Sequence, residues 1–148
     1  MATKFPFHRD RSGAAAVEFA LIAPMLVAIL LPMVDLGIGA YQKMRVQDAA
    51  EAGAQYALKH GYSSASISSA AQNATSLGGS LSVTPSEACD CVSGGALASA
   101  PCGSTCADGS AAGTYVTVGT STSYSLLLKY PGLTNPMTLT GNAVVRIN

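Results

Sequence analysis

An α+β fold is what this sequence predicts: one long N-terminal helix, a short second helix, and a small antiparallel β-sheet forming a head with a cysteine-rich loop. Three observations predict it. Sixteen consecutive residues, Phe19 to Val34 (FALIAPMLVAILLPMV), carry no charge. A stripe of small residues at helical spacing follows them. From residue 81 onward the chain changes to β-rich segments interleaved with Gly, Ser and four cysteines.

The totals narrow the class. Of 148 residues, 49% are hydrophobic but only 11% are charged, against about 25% charged in typical soluble domains. The mean hydropathy is positive. Net charge is zero, so nothing electrostatic points to nucleic acid. With no Trp and 6% aromatics, a large soluble core is not expected, and the apolar excess is local.

It is concentrated in residues 14–40. A spanning helix needs roughly 20 apolar residues for a hydrocarbon core about 30 Å thick, and this segment has them, with Glu18 and Asp35 near its ends. A cleavable signal peptide has a shorter apolar run ending in a small-x-small site; here Pro32, Val34 and Asp35 stand where cleavage would fall. Residues 1–13 read as a basic leader containing Lys4, Arg9 and Arg11, with Ser12 as a helix N-cap. Lys43 and Arg45 follow the span, so three cations against two give a weak bias toward a cytoplasmic N-terminus.

Residues 41–60 are rich in Ala, Gln, Glu and Lys, good helix formers. Val46, Ala49, Ala50, Gly53, Ala54, Ala57 and Leu58 fall at three- and four-residue steps. Nothing breaks the pattern between Ala40 and Tyr41. The expectation is therefore one helix over 14–60, roughly 70 Å long, kinked where Pro24 and Pro32 each remove a donor, with Gly61 as its stop. Its continuation 41–60 stands outside the membrane and carries a head, residues 61–148. In the head, 63–76 reads as a short helix through Ile67, Ala70, Ala71 and Ala74. Residues 81–85 form a brief strand, 86–113 a cysteine-rich loop, and 114–128 and 137–148 two strands joined by a turn with Pro131-Gly132. Leu139, Ala143, Val145 and Ile147 share one face of the last strand.

Cys89, Cys91, Cys102 and Cys106 allow three pairings. A bridge across Cys89-Asp90-Cys91 would be strained, so crossed or nested pairing to Cys102 and Cys106 is expected. Zinc knuckles use C-x2-C spacing, which neither pair has, and no His is near; no metal is expected. Each disulfide would stabilise this apolar-poor loop by about 2–4 kcal/mol, and disulfides persist outside the cytoplasm.

Catalysis finds little support. His8 and His60 are the only histidines, and Glu87, Asp90 and Asp108 are too few for acid–base work or calcium. No catalytic residue, cofactor or small-molecule substrate is expected.

The informative stretch is Gly13-Ala14-Ala15-Ala16-Val17-Glu18-Phe19. A carboxylate at mid-bilayer costs on the order of 2.5–3.5 kcal/mol and marks function, although at the interface it is cheap and suits a helix N-terminus. Gly-x4-Glu followed by an aromatic at the start of a hydrophobic helix resembles the prepilin-peptidase site of the Flp/Tad class of type IV pilins. RSGAAAVEFALIAPMLVAILLPMVDLG (11–37) with DAAEAGAQYAL (48–58) resembles the TadE-like pseudopilins. The likeness continues more loosely through the cysteine loop, YVTV (115–118), YPGL (130–133) and AVVRIN (143–148). The resemblance implies a pilin-like fold and cleavage between Gly13 and Ala14. It also implies a structural role in Tad/Flp pilus assembly or secretion, from the bacterial inner membrane, with the head outside the cytoplasm. The implied partners are membrane lipid, other pilins or pseudopilins and the prepilin peptidase. A related unprocessed type, TadG, shares the N-terminal pattern but is usually longer, and major Flp pilins are shorter and lack a head. The alternative is a membrane-anchored extracytoplasmic binding protein or enzyme unrelated to pili.

Overall fold

The structure, a computed structural model, describes residues 12–147. Lys4, Arg9 and Arg11 of the leader lie outside them. Helix α1 runs Ser12–His60 through both Pro24 and Pro32. It ends as expected at Gly61, whose φ of 79° suits a residue without Cβ and whose N–H reaches Ala57 O at 2.8 Å. Helix α2 covers Ser64–Asn73, shorter than expected, and a 3₁₀ turn occupies Gly78–Ser80. Four strands follow: β1 Ser82–Ser93, β2 Ala96–Ser99, β3 Gly113–Tyr124 and β4 Met137–Arg146. They form one antiparallel sheet in the order β2-β1-β3-β4.

The two halves of α1 live differently. From residue 13 to 34, all but Ala23 and Pro32 are exposed. From Val46 onward one face is buried by the head. Val46, Ala49, Ala50, Gly53, Ala54 and Ala57 form that face, so the stripe legible in the sequence is the seam between helix and sheet. Leu58 is a correction: it is exposed, because one residue past Ala57 turns the side chain about 100° off the seam.

Small residues let the sheet lie close. In β3, alternate side chains Val116, Val118, Thr120 and Thr122 are buried against the helices, the period of two that a one-sided sheet requires. An upper cluster joins Ala54, Ala57, Ile67, Val116 and Val118, with Ala143, Val145 and Ile147 packed against it. A lower one joins Val46, Ala49, Leu81 and Leu139. Burial of the larger aliphatic members contributes about 1.5–3 kcal/mol each. The closest approach is at Gly141, where a Cβ would lie 2.7 Å from Val46 O and 2.9 Å from Gln47 Cα. Beside it the Thr120 hydroxyl donates to Val46 O at 2.8 Å, so no polar group is stranded there.

The sheet is larger than the sequence indicates. Residues expected to be loop complete β1 and form β2: Glu87, Ala88, Cys89 and Asp90 pair with Val116, Tyr115, Thr114 and Gly113, and Val92 pairs with Leu97. Pro85, the last residue of the expected strand 81–85, lies inside β1, where β1 has β3 on one side and β2 does not reach. A missing N–H is tolerated at such an edge. In contrast, β3 ends at Tyr124 rather than 128, because side chains capture the next backbone donors. The turn at the foot of the head is the expected one, Tyr130-Pro131-Gly132-Leu133. It is closed by Leu133 N to Tyr130 O at 3.2 Å, with Gly132 at φ 84°, the pattern of a type II turn.

The pairing left open by the sequence is crossed: Cys89 with Cys102 and Cys91 with Cys106. Just past Cys106, Asp108 Oδ1 accepts from Ser110 N and Oγ at 2.9 and 2.7 Å, and these bonds, the hydroxyl's first, hold its carboxyl below the ordinary range.

Candidate functional site

The sequence-selected residues Gly13, Ala14, Glu18 and Phe19 lie in the first turns of the free half-helix, all exposed. Ala14 and Glu18 are four residues apart and share a helix face. Among the described residues nothing lies within 4 Å of a Cβ added at Gly13, so none of them packs on this glycine in the first turn of α1. The four cysteines belong to the opposite end of the molecule, in and beside the sheet, and contribute nothing to this segment. Residues 13–60 form a helix long and apolar enough to cross a membrane, and its exposed side chains from Val17 to Val34 are almost all hydrocarbon.

Where the free half ends, the head begins with a group that sequence reasoning missed. Asp35, read there only as an acid beside the apolar run, is 1% exposed. Its Oδ1 accepts from Tyr124 OH at 3.1 Å. Its Oδ2 accepts from Leu127 N, Leu128 N and Tyr130 OH at 3.1, 3.3 and 3.2 Å. Four donors thus converge on one carboxylate, the kind of charge-assisted bonding that offsets its desolvation. Burial, and next the bond to Asp35, raise the phenols of Tyr124 and Tyr130 above their usual value. The Tyr124 ring also covers Gly39, where a Cβ would come within 3.2 Å. The segment between β3 and β4 is thereby clasped to α1 one residue past the free half. Two tyrosines flanking a leucine run are the only local signal, and they do not say which acid they serve.

Among the described residues no group of three or more His, Cys, Asp or Glu side chains could hold a metal ion. A groove of about 570 Å³ between α1 and the end of α2 is lined by residues including Tyr41, Arg45, Asp48 and Thr75. Arg45 lies over the Tyr41 ring at 5.7 Å and bonds Ser76, so it ties α1 to the turn that follows α2. His60 packs on Tyr56, one turn earlier, with ring centroids 4.5 Å apart at the end of α1.

Residues 13–55 match the family model described as TadE-like protein. No curated protein and no solved structure matches the chain. The matched segment is the free half-helix, the Asp35 turn and most of the small-residue seam, and over that segment the chain is similar to TadE-like proteins.

Proposed function

We propose that this chain is a minor pilin-like subunit, a pseudopilin, acting in Tad/Flp pilus assembly or secretion, with a structural rather than catalytic role. The observation that carries the reading is the free apolar half-helix, opening on Gly13-x4-Glu18-Phe19 inside the TadE-like match. An all-round apolar helix must be covered, by lipid or by other such helices. Its N-terminus lies in the cytoplasm and its head outside, in the compartment where two disulfides persist. The prepilin peptidase cuts after Gly13, against which no described residue packs. The new amine at Ala14 then pairs with Glu18 of a neighbouring subunit. Two charges in lipid are costly apart and tolerable together, so the pair sets the register of helix against helix as subunits are added. Other pilins or pseudopilins and membrane lipid are the partners; no cofactor, nucleic acid or small-molecule substrate enters.

N-terminal sequencing of the membrane-extracted protein, from cells that contain the peptidase, tests this. The mature chain is expected to begin at Ala14, and Gly13→Val to retain the leader. Glu18→Gln is expected to insert normally but to fail in a pilus complementation assay. An uncut wild-type N-terminus would move the reading to an unprocessed TadG-like protein. Both substitutions silent would move it to a simple membrane anchor bearing a binding or enzymatic head.

A further inference from the structure

We propose that the segment joining β3 to β4, residues 125–136, is a second membrane contact: a foot that lies on the leaflet beneath the head, with Leu127, Leu128 and Leu133 in the lipid interface. This rests on the membrane reading of α1.

Depth is the first reason. Ala14 to Val34 at 1.5 Å per residue is roughly 31 Å, the thickness of a hydrocarbon core. The Asp35 clasp therefore holds the foot at the level where the helix leaves hydrocarbon. Surface chemistry is the second. Leu127 is 74%, Leu128 40% and Leu133 44% exposed, and Val34, Leu36 and Ile38 on the adjoining helix are exposed too. The apolar surface of the span thus continues onto the head. Lys129 is the segment's single charged residue, and a lysine at this level reaches lipid phosphates while its stem stays in the apolar layer.

The third reason is independent of side-chain hydrophobicity. Irregular backbone is costly where water is scarce, because its polar groups go unpaired. Here the amides that flank the exposed leucines are paired within the protein. Leu126 N bonds Asn135 Oδ1 at 3.1 Å, and Asn135 Nδ2 returns a bond to Leu126 O at 3.1 Å. Leu127 N and Leu128 N bond Asp35, and Leu133 N bonds Tyr130 O. A loop meant for bulk water has no need to hold three successive donors, and a fourth at Leu133, this way while presenting leucines outward. Two attachments, helix and foot, fix the tilt of the head above the membrane, which a single helix does not.

All four cysteines are paired, so a single added cysteine can be labelled. Leu127→Cys, Leu133→Cys, Leu26→Cys and Leu97→Cys in the full chain would each carry an environment-sensitive dye, in vesicles of phosphatidylethanolamine and phosphatidylglycerol. Intact mass under non-reducing conditions confirms that the native disulfides remain. Lipids spin-labelled at shallow or deep positions and aqueous iodide serve as quenchers. Leu26 reports insertion of α1, and Leu97, in the distal hairpin, reports bulk water. Shallow-lipid quenching at Leu127 and Leu133 several times that at Leu97, with a blue-shifted emission, is the expected result. Deep-lipid quenching at Leu26 with iodide-accessible Leu127 and Leu133 would overturn the foot and leave the membrane reading standing. Labels at Leu127 and Leu133 shielded from both quenchers, with energy transfer between copies, would assign the surface to a second subunit and overturn the proposal. Absence of lipid quenching at Leu26 would overturn both.

Discussion

The head is closed at its two ends by different chemistry. At the end away from the free half-helix, residues 100–112 between β2 and β3 are stapled by Cys89–Cys102 and Cys91–Cys106. At the near end, residues 125–136 between β3 and β4 are clasped to α1 by Asp35. Neither segment has a core: Cys106 and Leu126 are their only buried residues. A segment that buries almost nothing cannot offset its conformational entropy by the hydrophobic effect, so each needs another tie. The covalent tie acts largely on the unfolded chain and ignores pH and lipid. The carboxylate tie exists only in the folded state, and it brings the loop to one defined point on the helix. The distal tie is thus covalent and needs oxidation to form, whereas the near tie satisfies the segment's backbone donors within the protein.

The largest expected break in this symmetry is reduction. Losing both bridges, by reductant or by Cys→Ser at all four positions, should lower stability by about 2–4 kcal/mol per disulfide. Hydrogen exchange should accelerate over 96–112 while the amides of Leu127 and Leu128 keep their protection. Equal loosening at both ends would show that the ties are not separate.

Gly141→Ala tests the seam between the ends. With a Cβ 2.7 Å from both Val46 O and Thr120 Oγ1, the sheet must move off the helix, an overpacking cost of about 1–3 kcal/mol. Denaturant midpoints in detergent should fall accordingly, with both ends more exchangeable; an unchanged midpoint would mean that the seam is looser than its geometry.

Asp35→Ala acts on the near end alone. The freed donors can reach water by letting the loop go, so the global midpoint should move less than on reduction. The Leu127 and Leu128 amides should nevertheless exchange like those of an unstructured peptide, and protease cleavage should appear within 125–136. β3 holds the two ends apart by 12 residues, about 40 Å. The effects of Asp35→Ala and of reduction should therefore add to within about 0.5 kcal/mol.

The smallest effect is alkaline. Burial and the Asp35 bond hold the Tyr124 and Tyr130 phenols above their ordinary 10.0. Between that value and the raised one, the unfolded chain binds fewer protons than the folded chain. Stability contributed by these phenols is therefore complete below pH 10.0 and lost as pH rises through the folded values. Unfolding midpoints followed from about pH 9 upward should decline, less steeply in Asp35→Ala.

The sequence by itself determined whatever is written in short-range pattern. The unbroken helix, its small-residue seam, the short helix through Ile67, the turn at Pro131-Gly132 and the oxidised cysteines all follow from residues within about a turn, or a dozen positions, of one another. The residues Gly13, Ala14, Glu18 and Phe19 are likewise legible only as a motif, and the fold adds that they are exposed among the described residues. Tertiary structure alone decided the rest. It made strands of 86–93 and 96–99, whose largely Ser, Ala and Cys side chains show no alternation because the ladder's backbone bonds, not burial, hold them. It chose crossed disulfides among pairings the spacing leaves open. It also turned Asp35 from an acid at the edge of an apolar run into the clasp of the head. The physical reason is distance along the chain: the partners of Asp35 lie 89 to 95 residues away, and no local period records a contact that exists only once helix and sheet have docked.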